Sequence, residues 1–244
     1  MLRNSVESNI DIEKVSSYEE LSKKAANILV ELLREKPAAN LGLATGSTPV
    51  GMYEQLIKAY QEGNVSFQDT HTYNLDEYIG LERSDPNSYH YFMKKTLFDH
   101  IDINPDHTHI PSGIAEDLEE ECVSYERLIK ANGGIDIQIL GLGLNGHIGF
   151  NEPGTDFASR THIVKLAEST RTANARFFSK KEDVPKQAIT MGIQSIMEAK
   201  KIVLLAFGKK KMDPLQRLMK GVVHPDFPAS ILRLHPNITI IYGE

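Results

Sequence analysis

Short apolar runs alternate with longer amphipathic runs along almost the whole chain, and this alternation restricts it to one class of fold. Leu41 to Ala44, His71 to Tyr78, Ile135 to Gly141, His162 to Leu166, Lys201 to Phe207 and Ile238 to Tyr242 read as strands. Between them lie helix-like stretches: from Ser17, from Pro49, from Ser88 to about His100, from about Ala115 to Ala131, from Pro185 to Glu198, and from Met212 to Lys220. Ser17 and Glu20 form a capping-box pattern ahead of Leu21, Ala25, Ile28, Leu29, Leu32 and Leu33 at helical spacing. Pro49 stands where helices favour proline, and Met52, Leu56, Ile57 and Tyr60 follow on one face. Parallel strands need a crossover between them, and a helix is the usual one. The pattern therefore predicts an α/β chain with one open, mainly parallel, Rossmann-like sheet carrying helices on both faces. No repeat or linker divides it, so residues 1–244 are expected to form one domain.

Composition excludes several function classes. A net charge of -6 argues against a nucleic-acid surface, though not against a local basic pocket for an anionic small molecule. The single Cys122 has no internal disulfide partner, which fits a reducing compartment, and its neighbours Glu119, Glu120 and Glu121 disfavour a thiolate. Met1 to Glu7 lacks the apolar core of a secretory leader. No apolar run approaches the roughly 18 residues of a spanning helix. The expectation is a cytoplasmic protein that binds neither nucleic acid nor membrane.

The chemistry concentrates at strand ends. Asp136 to Leu140 runs into Gly141-Leu142-Gly143-Leu144-Asn145-Gly146-His147-Ile148-Gly149-Phe150-Asn151-Glu152-Pro153, which sets an imidazole and a carboxylate at a strand tip. Ligands of open α/β sheets bind at such tips, and His suits proton transfer near neutral pH. The same residues also allow a tight turn around a buried, hydrogen-bonded His. Gly141-x-Gly143-x-x-Gly146, with Glu168 about twenty residues on, imitates a dinucleotide fingerprint. That fingerprint needs a helix opening at the third glycine, and Gly149, Pro153 and Gly154 stand against one.

Thr45-Gly46-Ser47-Thr48-Pro49 joins a strand to a helix, which suits either phosphate binding or a plain capped connection. Asp76 and Glu77 end another strand as adjacent acids. Neighbours on a strand face opposite ways, so at most one of them enters a given site. His107-x-His109, in a Pro-flanked loop, and His147 with Glu152 lack zinc-ligand spacing, so no metal is expected. Residues 167–186 are long, polar and weakly patterned, as a lid would be, and carry Arg171, Arg176, Lys180, Lys181 and Lys186. Lys209-Lys210-Lys211 adds a second basic group. One Arg and one Lys from these sets could reach a phosphate.

With these motifs in hand, the chain resembles the glucosamine/galactosamine-6-phosphate isomerase family, which includes the glucosamine-6-phosphate deaminases. The resemblance rests on Thr45 to Pro49, Asn74 to Tyr78, Gly141 to Pro153, Ser159-Arg160-Thr161, and Thr170-Arg171-x-Ala173-Asn174-x-Arg176-Phe177-Phe178. It implies conversion of glucosamine 6-phosphate and water to fructose 6-phosphate and ammonium, without a cofactor. It further implies ring opening, proton transfer between C2 and C1 through an enol, and hydrolysis of an imine. Asp76 matches the base for the carbon-bound proton, and His147, supported by Glu152, matches the acid/base that opens the ring. Gly46, Ser47 and Thr48 with Arg176 and Lys211 match the phosphate cradle.

Two positions depart from the family pattern. Asn145 replaces an Asp that many members carry, so an orienting role is expected of it. His162 and Val164 replace the Arg-x-Lys that allosteric members use for an effector phosphate, so hyperbolic kinetics and a monomer or small homo-oligomer are expected. A 6-phosphogluconolactonase would share the fold but lack Asn-Glu-Pro after the His. A sugar-phosphate-sensing regulator would need a DNA-binding module, and the residues before Leu41 leave no room for one.

Overall fold

The computed structural model describes residues 10–244; the expectation placed on Met1 to Glu7 lies outside the described residues. Among the described residues, seven strands form the main sheet: β1 (Ile10–Lys14), β2 (Asn40–Leu43), β3 (His71–Asn74), β5 (Thr108–His109), β6 (Ile137–Gly141), β9 (Lys201–Phe207) and β10 (Ile238–Gly243). Their order is β1-β10-β9-β6-β2-β3-β5, and every pairing is parallel. From β2 the chain builds outward through β3 and β5. It then returns to β2's other side at β6 and builds outward through β9 and β10. The order thus reverses between β2 and β6, and the crevice at their carboxyl ends is the topological switch point where open α/β sheets bind ligands. Edge strands β1 and β5 carry little periodic signal, and sequence reading passes over both.

The helices form where the pattern places them, except at Pro185 to Glu198. α1 (Tyr18–Glu35) begins at Ser17, whose side chain accepts from the Glu20 N–H. The Glu20 carboxylate reaches Ser16 instead of Ser17, taking its N–H at 2.8 Å and its hydroxyl at 2.7 Å. Leu21, Ala25, Leu29 and Leu33 are fully buried beneath α1, which packs on α2 (Val50–Gln61). α3 (Tyr89–Thr96), α4 (Leu118–Ala131) and α7 (Met212–Lys220) complete the longer helices.

Two readings need correction. His71 to Tyr78 is two strands, not one: at Leu75 the chain leaves the main sheet, and β4 (Asp76–Tyr78) joins a second, antiparallel sheet. The Leu75 N–H still donates to Leu43 O at 3.2 Å, while its carbonyl accepts from Met191 N at 2.6 Å, so one residue belongs to both layers. Second, Pro185 to Glu198 is not one helix. Its first part is β8 (Gln187–Thr190), held between β4 and β7 (His162–Lys165), and only Ile193–Met197 forms a helix, α6. Val184, Ala188 and Met191 satisfy a helical spacing, while the apolar run Ala188 to Met191 equally suits a strand buried on both faces. Pairing on both edges buries Ala188, Ile189 and Thr190 completely and decides for the strand. Residues 167–186 hold a short helix, α5 (Glu168–Asn174), and two 3-10 turns.

Candidate active site

The loops after β2 and β6, the start of β4, residues 169–178 and the loop after β9 enclose a cleft of about 830 Å³ at the switch point. Asp76, Asn145, His147, Gly46, Ser47, Thr48, Arg176 and Lys211 all line it. Glu152 lies behind that surface, joined to Asn145 and near His147.

Glycines set the imidazole. After β6, Gly143 N–H donates to His147 O at 2.9 Å and Gly146 N–H to Gly143 O at 3.1 Å, closing a tight loop. The His147 ring lies against Gly143, where any Cβ would overlap the imidazole. No helix opens at Gly146, because residues 147–155 form turns and one isolated bridge. The Asn145 amide group donates to Glu152 Oε2 at 2.8 Å, and its carbonyl oxygen lies 2.7 Å from His147 Nδ1. A carboxylate accepts only, so the amide must turn its nitrogen to Glu152 and its oxygen to His147. Nδ1 therefore carries the proton and Nε2 keeps its lone pair. The Glu152 carboxylate is 3.9 Å from Nδ1. Its other oxygen accepts from the Thr170 hydroxyl. Burial lowers the His147 pKa, Lys211 adds to the effect, and Glu152 opposes it. A neutral imidazole able to take a proton is the result.

The strand exchange at Leu75 delivers the carboxylate. Asp76 pairs with Thr190 across the second sheet, and the residue is 6% exposed. Among the described residues no group donates a hydrogen bond to it, so its lone pairs face the cleft. Gly149, at φ +56°, brings its backbone against this point; a Cβ there would lie 3.0 Å from Thr190 Oγ1 and 3.6 Å from Asp76 Oδ2. Burial and then the charge of Glu77 push the Asp76 pKa up to about 8. Glu77 faces the opposite way. It accepts from the N–H groups of Tyr78, Tyr89 and His90 at 2.8, 3.0 and 3.0 Å and pairs with His90 Nδ1 at 2.8 Å, capping α3. Of the two adjacent acids, one enters the site and one builds the scaffold.

The cleft's other end is cationic. Residues 45–48 connect β2 to α2, and the Tyr18 hydroxyl pins this loop by donating to the carbonyls of Ser47 and Thr48, both at 3.0 Å. Arg176 Nη2 lies 3.4 Å from Ser47 Oγ, and its guanidinium stands 4.6 Å over the Phe177 ring. Lys211 Nζ donates to Leu142 O at 2.5 Å. Burial lowers its pKa, with a further contribution from Arg176. Two cations beside a helix N-terminus and free hydroxyls make a receptor for a dianion.

Other groups lie elsewhere. Arg171 donates to the carbonyls of Val184 and Lys181 and pairs with Glu168, and Lys181 also pairs with Glu168, so both hold residues 167–186 together. His107 and His109 stack with His71 at the β3–β5 edge. Among the described residues no cluster of three His, Cys, Asp or Glu could hold a metal ion. The Cys122 thiol is buried, and burial with Glu119 and Glu121 pushes its pKa to about 11. Sequence reading met Thr170, Tyr78 and Asn174 only as parts of motifs, without a role for any of them, and passed over Tyr89. Asn174 donates to the Tyr78 hydroxyl at 2.9 Å, and all four line the cleft. The contacts of Thr170 with Glu152 and of Asn174 with Tyr78 span 18 and 96 positions, a distance no local pattern carries.

Fold and site together define an α/β protein with an acid–base constellation facing a cation pair across its switch point. The chain belongs to the family of glucosamine-6-phosphate isomerases and 6-phosphogluconolactonases, whose model matches residues 13–240. It is 57% identical over 230 residues to a glucosamine-6-phosphate deaminase of Lysinibacillus sphaericus, covering 94% of this chain and 97% of that one. It is 55% identical over 225 residues to glucosamine-6-phosphate deaminase 1 of Bacillus subtilis, covering 92% and 93%. A solved monomeric glucosamine-6-phosphate deaminase superposes with a TM-score of 0.94 at 52% identity, over 96% of this chain and 97% of that one. The 6-phosphogluconolactonase of Thermotoga maritima, at 20% identity and a TM-score of 0.77 over 97% and 100%, shares the fold.

Proposed function

We propose that this chain converts glucosamine 6-phosphate and water to fructose 6-phosphate and ammonium, as part of amino-sugar catabolism. The observation that carries the reading is the pairing, in one cleft, of an unbonded buried carboxylate with an imidazole of fixed tautomer. Aldose–ketose isomerisation moves one proton between carbons and others between oxygens. A carboxylate with free lone pairs suits the first task, and a neutral imidazole suits the second.

Gly46, Ser47, Thr48, Arg176 and Lys211 hold the phosphate. The neutral His147, through Nε2, moves a proton between the ring oxygen and the O1 hydroxyl, opening the pyranose. Asn145 fixes the tautomer, and the Glu152 charge stabilises the imidazolium that forms. Asp76 takes the proton from C2 and returns it at C1. Water then attacks the imine carbon, and the amine leaves as ammonium. The balance is hydrolytic, with no external oxidant and no cofactor. Residues 167–186 serve as the cover, since Thr170, Asn174 and Arg176 each touch a different part of the site. We further assign a monomer acting in the cytoplasm. Similarity to the solved monomeric deaminase supports the first part. Among the described residues no helix is long and apolar enough to cross a membrane, which is compatible with the second.

Purified protein incubated with glucosamine 6-phosphate should release ammonium and fructose 6-phosphate in equal amounts. Release of neither, together with hydrolysis of 6-phosphogluconolactone, would overturn the assignment.

A further inference from the structure

Glu152 is nearly buried, at 9% exposure, and its two oxygens are held from opposite sides of the cleft. Oε2 takes the Asn145 amide from the β6 loop, and Oε1 takes the Thr170 hydroxyl from α5. Among the described residues no other group donates to this carboxylate. Thr170 is itself buried, at 4% exposure, so its hydroxyl is fixed on Glu152 and not shared with solvent. α5 runs directly into the 3-10 turn Ala175–Phe177, which carries Arg176 to Ser47. One continuous helical segment of the cover therefore touches the imidazole relay at one end and the cation pair at the other.

We propose that Thr170 is a positioning residue: its hydroxyl orients Glu152, so that seating the cover over a bound phosphate also completes the relay from Glu152 through Asn145 to His147. The inference rests on the deaminase reading for its kinetic consequence, though not for the contact itself. Without the Thr170 donor, a buried carboxylate loses half its hydrogen bonds and can rotate about its terminal torsion. The Asn145 amide, whose oxygen also accepts from the His147 backbone N–H at 3.2 Å, then faces a carboxylate of unfixed direction, and the single tautomer of His147 is held by one contact fewer. Thr170 touches neither Arg176 nor Lys211 through any of these bonds, so ground-state capture of the phosphate is left alone.

Thr170→Val keeps the side-chain volume and removes only the hydroxyl; Thr170→Ser keeps the hydroxyl and removes only the methyl group. The expected result for Thr170→Val is a kcat about tenfold below wild type, the lower end of what a hydrogen bond to a charged group contributes. KM for glucosamine 6-phosphate and inhibition by inorganic phosphate should change less than about twofold, as befits an interaction that matters only in the transition state. Thr170→Ser should restore kcat. In ring-nitrogen NMR, wild type and Thr170→Ser should show His147 protonated on Nδ1, and Thr170→Val a mixture of tautomers.

Wild-type kcat with an unchanged tautomer in Thr170→Val would overturn the inference, as would a raised KM with unchanged kcat. Should Thr170→Val not fold, a Thr170→Ser enzyme as impaired as Thr170→Ala would overturn it equally. A wild-type protein that releases no ammonium refutes the deaminase reading alone, because the NMR comparison still decides the role of Thr170.

Discussion

Asp76 sits in a place that favours its neutral form, and its replacement should reveal the cost. In the folded chain its pKa is pushed up to about 8, from an ordinary 3.8, by burial and by Glu77. A carboxyl whose folded pKa lies above its unfolded value contributes stability in full below the unfolded pKa. That contribution is lost as pH rises through the folded one. Between pH 5 and 8 the unfolded chain carries Asp76 ionised while the native protein keeps it protonated. At about 1.36 kcal/mol per pKa unit, wild type loses about 4 kcal/mol over that interval and little more above it. Asp76→Asn has nearly the same shape, does not titrate, and breaks no protein hydrogen bond. Its stability advantage over wild type should therefore grow by about 4 kcal/mol between pH 5 and pH 9. For a chain of this size that is a widening of Tm by about 8–16 °C.

Denaturant unfolding of both proteins at pH 5, 7 and 9, with matched m-values, reads the effect directly. Turnover should fall at the same time by about 10²–10⁴, the usual value of general base catalysis. Stability curves that run parallel from pH 5 to 9, or a mutant less stable than wild type at pH 9, would refute the account of this carboxyl's surroundings. A mutant within a few-fold of wild-type activity would remove Asp76 from proton transfer.

The same environment places the acidic limb of wild-type kcat/KM near pH 8 and not near 4, because the base acts only when ionised; a pH–rate profile checks this. Arg176→Ala and Lys211→Ala should each raise KM for glucosamine 6-phosphate about ten- to a hundred-fold, from lost charge-assisted hydrogen bonds; steady-state kinetics and phosphate competition test it. Asn145→Asp sets an anion at His147 Nδ1 and should raise the imidazole's pKa, read by NMR titration, while opposing Glu152 across the former 2.8 Å contact. Kinetics in glucosamine 6-phosphate should be hyperbolic and unchanged by N-acetylglucosamine 6-phosphate apart from weak competition. His162 Nδ1 is already bonded to Arg160 O, and Val164 packs in a hydrophobic cluster, so neither offers a fixed cation; sigmoidal curves would contradict this.

What the sequence alone determined is everything encoded locally. Alternating runs specify strand and helix because backbone geometry repeats every two or 3.6 residues, and Ser17 and the glycines of the β6 loop mark ends and turns by their own stereochemistry. Motif chemistry likewise picked out His147 and the adjacent acids Asp76 and Glu77, while resemblance to the family singled out Asp76, Arg176 and Lys211 for their tasks. Tertiary structure alone decided what depends on partners distant in the chain. Leu75 leaves the main sheet because Met191 is there to receive its carbonyl, and residues 187–190 extend because β4 and β7 bury them from both edges. The Asn145 amide, turned toward His147 by a local bond from the His147 backbone N–H, is fixed from its other side by Glu152, whose remaining oxygen takes the Thr170 hydroxyl. Hydrogen bonds that close over many residues leave no periodicity behind them, so they become visible only once the chain has folded.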